Sequence, residues 1–488
     1  MTQELQPIIN KIIEAGLQLT PEAFNHLQSM PAERLDKVIR GVLKAAETRP
    51  DLFIIDEEFL RGLEEPRQTR PALKPPVARF QPRIEILSDR ESQPVGDVNG
   101  FIDYFNSRFR QLEAILKNRF DVRDAIPLSQ AVKQPVKTKF KTIGLVAGKS
   151  TRGSRLFLDL EDPDTSVTVM VSGEEVSRKG LEILDDQIIC VDGLKYRDDL
   201  IIANDLIWPD VPMHDISRAD ENVCAVFVGD IHVGSKYFRA DLFDKFIKWM
   251  NRDLGQLASR ELAGLVKYLV VTGDLVDGIG IYPEQLDELT ITTQKAQYEE
   301  AARLLSQLPE HVEILVIPGN HDAVRRSLPQ PPIPEKYAPA LYKDPRIHLL
   351  PNPCNLSLHG VKALVFHGKA LDDILSSTPG YDFHSPVKGL ELLMRCRHVA
   401  PIYGQSTPIA PEKVDRLVID TIPDVVACGH IHIHEMRKYH GLTLISSGSF
   451  QEQTPFQRRM KLEPTPGVVS VYNLMNHQHI PLDLERLN

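Results

Sequence analysis

Five apolar runs in this chain each end, at the same end, in an Asp, Asn or His, and that repetition constrains the fold more than any other feature. HVEILVIP (His311 to Pro318) leads into Gly319-Asn320-His321-Asp322. A β-branched run of that length reads as a buried parallel strand. Taken alone, the turn after it is open to a plain reading, since Asn, Asp and Gly are ordinary turn residues. The other four runs repeat the pattern. NVCAVFVG (Asn222 to Gly229) runs into Asp230-Ile231-His232 and KYLVVTG (Lys267 to Gly273) into Asp274. VKALVF (Val361 to Phe366) runs into His367-Gly368, and DVVACG (Asp424 to Gly429) into His430-Ile431-His432. The spacings leave room for a crossover helix between most pairs. Side chains at the carboxyl ends of such strands line the crevice in which α/β enzymes bind ligands.

Asp230, His232, Asp274, Asn320, His367, His430 and His432 make a donor set without a thiolate. It suits Mn, Fe, Zn or Mg and does not suit a structural zinc site. Seven donors exceed the needs of one ion and fit two ions sharing a bridging carboxylate, an arrangement used for displacement at phosphorus. Asp274 is the candidate bridge because it stands alone on its run, whereas Asp230-x-His232 and His430-x-His432 are pairs. Residues two apart on an extended segment point the same way, so each pair can converge on the ions. His321 is left over as a candidate general acid, with Asp322 as its orienting partner; alternatively it only positions Asn320.

GDIHVG, GDLVDG, GNHD, FHG and GHIH, in that order, resemble the five motifs of the calcineurin-like metallophosphoesterases. The branch containing the double-strand-break repair nuclease is the most similar. The resemblance implies one metal held by Asp230, His232, Asp274 and His432. It implies a second held by Asp274, Asn320, His367 and His430, with His321 in place of the family's catalytic histidine. No motif position is missing.

The rest of the 488 residues divides by composition. Residues 1–63 read as a helical domain suited to docking a partner: LQPIINKIIEAG and PAERLDKVIRGVLKAA have helical spacing, and Thr20-Pro21 is a helix start. Residues 64–100 carry six prolines and read as an extended linker. FIDYFNSRFRQLEAILKNRF (Phe101 to Phe120) has a helical apolar stripe. Five strand signals follow, TKFKTIGLV, RLFLDL, SVTVMV, DQIICVDG and DLIIANDLI, with a helical GEEVSRKGLEIL between the third and fourth. That order is the pattern of an OB-fold, so residues 101–212 are expected to form a helix plus OB-fold domain. The phosphoesterase domain is expected over 222–475 and a tail over 476–488. The predicted class is therefore α/β multidomain: a calcineurin-like β-sandwich flanked by helices, preceded by an OB-fold and a helical domain.

A net charge of −10 argues against a generic polyanion binder, so contact with nucleic acid requires local basic patches. Lys133, Lys137, Lys139, Lys141, Lys149, Arg152 and Arg155 form one such stretch, readable equally as a solvated face or a partner-binding edge. A proline-rich insertion, Arg325 to Pro345, starts directly after GNHD and is expected to overhang the site, placing Arg325 and Arg326 near a phosphate path or in surface ion pairs. The start of the chain lacks a signal-peptide pattern and no apolar run approaches the roughly 20 residues of a membrane span, which predicts a soluble, cytoplasmic protein. Five unclustered cysteines fit reduced core residues.

An OB-like domain before a calcineurin-like domain resembles the accessory B-subunits of replicative DNA polymerases. With every metal motif intact, the similarity is to the small-subunit family of archaeal family D DNA polymerase. MRCRHVAPIYG (Met394 to Gly404), PDVVACGHIH (Pro423 to His432) and SFQEQTPFQ (Ser449 to Gln457) match it further, and the resemblance runs from about residue 80 to the end. It implies a proofreading 3′-to-5′ exonuclease using two divalent ions, Mn2+ first and Mg2+, Fe2+ or Zn2+ as alternatives. It also implies a separate large catalytic subunit, DNA with single-stranded or mismatched 3′ ends, a sliding clamp as a further candidate partner, and no membrane. The competing readings are a non-catalytic scaffold subunit and a general metallophosphatase of the same fold.

Overall fold

The computed structural model describes residues 12, 17–30, 38, 42, 54–56, 60, 75–88, 94 and 96–487. It divides into two units, residues 1–75 and 76–488. In the first, Thr20 caps the helix Pro21–Ser29 by accepting from the Ala23 N–H, as the Thr-Pro pair predicts. Gln18–Leu19 pairs in parallel with Ile54–Ile55. The other two helices expected there lie outside the described residues, apart from Ile12, Val38 and Val42, which are helical and buried together.

The second unit contains two six-stranded sheets and a closed barrel. The first sheet runs Ile347–Leu349, Glu313–Val316, Val266–Val271, Cys224–Val228, Val468–Asn473, His479–Asp483, with its first four strands parallel. The second runs Glu435–Tyr439, Leu442–Ser446, Val425–Cys428, Val361–Val365, Cys354–Leu358, Ile84–Ile86, with three parallel strands at its centre. Strand alternation explains the layering, because successive side chains leave on opposite faces. Phe227, Val270 and Leu315 from the first sheet meet Val365, Ala427 and Ile445 from the second in one core. Their neighbours Val226, Leu269 and Ile314 turn outward onto helices such as Ala240–Met250 and Gln294–Leu305. Leu364, Val426 and Leu444 turn outward from the second sheet toward the helix Pro386–Cys396. Both outer surfaces are thereby covered, which is why the parallel runs are apolar without alternation.

Part of the stretch expected as a linker takes structure, because the alternating Ile84-Glu85-Ile86 supplies an edge strand to Cys354–Leu358. Part of the expected tail does likewise: His479–Asp483 pairs with Val468–Asn473.

Five strands close the barrel in the order Lys139–Arg152, Arg155–Glu161, Ser166–Val171, Leu200–Ile207, Ile188–Arg197. The helix Glu174–Leu181 falls between the third and fourth strands in sequence. The long helix Val98–Lys117 starts at Asp97, whose side chain accepts from the Gly100 N–H. It buries Tyr104, Arg108, Leu112 and Leu116, an i, i+4 stripe. All five cysteines are buried with free thiols. No described helix is long and apolar enough to cross a membrane.

Arg108 is the polar member of that stripe and is fully buried. It donates from Nε to Asp415 Oδ2 at 2.8 Å and from Nη1 to the Pro401 carbonyl at 2.6 Å. Asp415 also accepts from His398 Nε2 at 2.9 Å, while the Ala400 N–H donates to His398 Nδ1. The imidazole is thus held neutral: burial and the Arg108 charge bring it down to about 4.

Asp415→Ala strands the Arg108 charge in the interior, and should cost about 3 to 5 kcal/mol in chemical denaturation at neutral pH. His398 supplies an acid signature. Its stabilisation is complete above the ordinary imidazole pKa of about 6.5 and is lost as pH falls through the folded value of about 4. The stability of His398→Asn should therefore fall less steeply than that of the parent between these limits.

Candidate metal centre

All five predicted deliveries sit at the carboxyl ends of central strands, three from the first sheet and two from the second. The backbone there is unusual. Asp230, His232, Asp274, His430 and His432 adopt positive φ, between 51° and 72°. Left-handed backbone costs about 1–2 kcal/mol for a residue with a Cβ, and such strain gathered at one place marks a functional site. Turn hydrogen bonds hold it: the Asp230 N–H donates to the Gly273 carbonyl at 3.0 Å and the His232 N–H to the Asp274 carbonyl at 3.1 Å. Two glycines are fixed by the approach of these loops. Gly273 has φ of +101° beside the His367 ring, and a Cβ on Gly319 would overlap the Asp274 carboxylate.

The side chains converge. Asp230, His232 and His432 present ligand atoms within 4.8 Å of one another; so do Asp230, Asp274 and His367, and so do His232, Asp274 and His321. His232 Nε2 is 3.3 Å from His432 Nε2 and 3.8 Å from Asp274 Oδ2. His367 Nε2 is 3.3 Å from Asp274 Oδ2 and 3.0 Å from Asn320 Oδ1. Asp274 is therefore shared between a group containing His232 and a group containing His367. His430 stands differently: its N–H donates to Asp230 Oδ2 at 2.8 Å, but its ring turns Nε2 to Asp372 Oδ1 at 3.0 Å. Nδ1 is then the ring nitrogen left for a ligand.

Several partners were not read from the sequence. Asp277 lies 3.0 Å from His232 Nδ1 and accepts from Gln451 and Gln285. The Thr272 carbonyl is 3.0 Å from His367 Nδ1, and Gln457 Nε2 is 3.1 Å from His432 Nδ1. The Asp277 and Thr272 oxygens take the Nδ1 protons of His232 and His367 and so turn Nε2 of each toward an ion, while Gln457 fixes the position of the His432 ring. Asp277 was legible as the second carboxylate of GDLVDG; Asp372, from a helix after FHG, carried no signal.

His321 is not oriented by Asp322. Its Nδ1 donates to the Asp277 carbonyl at 2.7 Å, which leaves Nε2 open. Asp322 instead accepts from the Gly319 and Leu275 N–H groups and from the Tyr298 hydroxyl, locking the turn that carries Asn320 and His321. Three donors meeting one carboxylate make the locking of this turn its physical role. The insertion arginines are also committed locally: Arg325 donates to the Pro329 carbonyl and Arg326 to the Gly280 and Ile281 carbonyls.

Three buried carboxylates set the electrostatics. Burial would lower the His232 and His367 imidazoles, yet Asp277, Asp274 and Asp230 outweigh it at His232 and Asp274 and Asp230 at His367, bringing both up to about 9. Burial works against ionised Asp274, but His367 and His321 overcome it and hold the carboxyl well below its usual range. His321 is lowered, chiefly by burial, against the pull of Asp274. Asp322 is raised to about 6 by burial and by the Asp274 charge. A pocket of carboxylates that retains protons on imidazoles this strongly has the potential of a cation site. Its oxygen and imidazole donors fit divalent ions such as Mn2+, Mg2+, Fe2+ or Zn2+.

Comparison with known proteins agrees on one family. Residues 225–437 match the family model of the DNA polymerase alpha/epsilon B-subunit. The chain is 37% identical over 482 residues to the DNA polymerase II small subunit of Methanothermobacter thermautotrophicus, covering 96% of this chain and 98% of that protein. It is 36% identical over 434 residues to the Archaeoglobus fulgidus small subunit, covering 86% and 87%. With the Thermoplasma acidophilum small subunit it shares 32% over 475 residues, covering 96% and 91%.

Removing the Asp277 carboxylate should loosen the site without emptying it. In Asp277→Ala, manganese affinity measured by titration calorimetry should fall about 10- to 100-fold while the fold is retained; unchanged affinity would show that His232 needs no partner at Nδ1.

Proposed function

The chain belongs to the DNA polymerase II small-subunit family of archaea, and from that premise we propose that it is the proofreading subunit of the enzyme, a divalent-metal-dependent 3′-to-5′ exonuclease on DNA. The observation that carries the proposal is the convergence of Asp230, His232, His367 and His432 on the pocket around Asp274. A scaffold has no need to keep three carboxylates buried in one pocket, two of them, Asp230 and Asp274, on left-handed backbone. The sandwich with its site at the strand ends supports the reading of residues 222–475 as a calcineurin-like phosphoesterase. The closed five-stranded barrel, with its helix between the third and fourth strands, supports an OB-fold within 101–212. A subunit called small in its relatives has a larger partner; we extend to this chain assembly with a catalytic polymerase subunit, with a sliding clamp as a further candidate.

In this reading Asp230, His232, Asp274 and His432 hold one ion and Asp274, Asn320, His367 and His430 the other. When bound, two divalent ions supply Lewis-acid activation of water and neutralise charge on a phosphodiester. The chain's own residues do the rest. Asp277, the Thr272 carbonyl and Asp372 fix the rings of His232, His367 and His430. Tyr298 and Asp322 hold the GNHD turn at its strand end. His321, anchored through Nδ1, presents Nε2 to the departing 3′ oxygen; to give that oxygen a proton the ring must carry one on each nitrogen, a form that the neighbouring Asp274 charge favours. An unpaired 3′ terminus reaches such a site at the least unstacking cost.

The test uses the purified chain, manganese and single-stranded DNA labelled at its 5′ end. A ladder shortening stepwise from the 3′ end is expected, abolished by chelator and by Asp274→Asn. His321→Ala should bind the metals normally and lose on the order of 10²- to 10⁴-fold in rate, the usual contribution of a positioned proton donor. Hydrolysis of an aryl phosphate with no action on DNA would favour a general metallophosphatase. Two bound metals with no hydrolysis of either substrate would favour a scaffold.

A further inference from the structure

The segment after Ser449 is tied to the metal pocket at two points. Gln451 Nε2 donates to Asp277 Oδ1 at 3.1 Å, and Gln457 lies 3.1 Å from His432 Nδ1. Thr454 and Gln457 make a reciprocal capping box that fixes the start of the short helix Pro455–Arg459. With Gln457 turned in, the residues around it face out. Phe456 is 60% exposed and Met460 52% exposed. These two are four apart and so share a face. Arg458, Arg459 and Lys461 are exposed, and none has an ion-pair partner among the described residues. No acidic residue stands between Glu452 and Glu463.

Such a strip is out of character for the molecule. Net charge is −10, and the insertion arginines Arg325 and Arg326 are bonded to carbonyls. An exposed phenylalanine held rigidly beside three unpaired cations suits a ligand with alternating flat apolar faces and negative charges. Single-stranded nucleic acid has that chemistry: its bases stack on aromatic rings while its phosphates meet Arg and Lys. We propose that Phe456 to Lys461 is the single-strand track of the site, stacking a base on Phe456 and neutralising backbone phosphates with Arg458, Arg459 and Lys461. The proposal rests on the exonuclease reading for the direction in which the strand runs, but not for the binding itself. The barrel's basic stretch is less suited to this role: Lys141 and Lys149 donate to the Asp121, Leu181 and Ile183 carbonyls.

Fluorescence anisotropy tests the strip without turnover, using the full-length chain in chelator, a labelled oligo-dT 15-mer, and a series of salt concentrations. For single strands each neutralised phosphate contributes about 0.7 to the slope of log affinity against log salt. Arg458→Ala/Arg459→Ala/Lys461→Ala should therefore flatten the slope by about 2 and weaken binding about 100-fold near 0.1 M salt. Phe456→Ala should weaken binding about 10-fold with the slope unchanged, since stacking is uncharged. Circular dichroism and melting confirm that each variant is folded, which surface positions permit. Parental affinity and slope in the triple variant would overturn the proposal. So would unchanged DNA binding coupled with lost co-purification of a catalytic polymerase subunit, which would make the strip a protein-docking face. Failure of the exonuclease reading would appear instead as an absent DNA ladder with anisotropy intact.

Discussion

Three carboxylates, Asp230, Asp274 and Asp277, are buried within one pocket, and the surrounding structure is arranged to make that tolerable. A carboxylate withdrawn from water without partners neutralises or destabilises the fold. Each is met by backbone N–H groups, imidazoles or side-chain amides: His430 N–H on Asp230, His321 N–H on Asp274, Gln451 and Gln285 on Asp277. His232 and His367 answer the carboxylates by holding protons more tightly than their burial would permit. Five of the donor residues, Asp230, His232, Asp274, His430 and His432, share left-handed backbone around this pocket.

The double-layered sandwich allows this concentration of strain. Its central strands are buried on both faces, so their carboxyl ends are fixed in space to the precision of the sheet ladder. Two sheets contribute to one pocket, and His367 beside Asp274 bridges them. The barrel and the long helix before it are joined to the two-sheet part by a second buried charge cluster, Arg108 with Asp415 and His398. That cluster involves no candidate ligand, so the pocket and the connection between the parts can be perturbed separately.

The positions of the candidate ligands were legible because strand-end delivery leaves a local mark: an apolar run and then a polar donor, in most cases with a glycine between them. All five runs became strands, and the barrel's five signals and intervening helix became the barrel. What was not legible depended on contacts between distant segments. Asp322 follows His321 directly and looks like its partner, yet the tight turn bends its carboxylate back onto the Gly319 and Leu275 N–H groups, and the carbonyl of Asp277 takes the imidazole. Asp372 reaches His430 from a helix 58 residues earlier, a distance no spacing rule covers. Ile84–Ile86 reads as linker because its flanks are proline-rich, and only the exposed edge of Cys354–Leu358 makes it a strand. Arg108 falls within an apolar stripe where a charge looks like a break in the pattern; its partner Asp415 lies about 300 residues away.

If Asp274 joins two ion sites, manganese bound to the purified chain reports on the junction most directly. Metal analysis together with electron paramagnetic resonance should find two manganese ions per chain with the spectrum of a spin-coupled pair. A single uncoupled ion, or none, would contradict it.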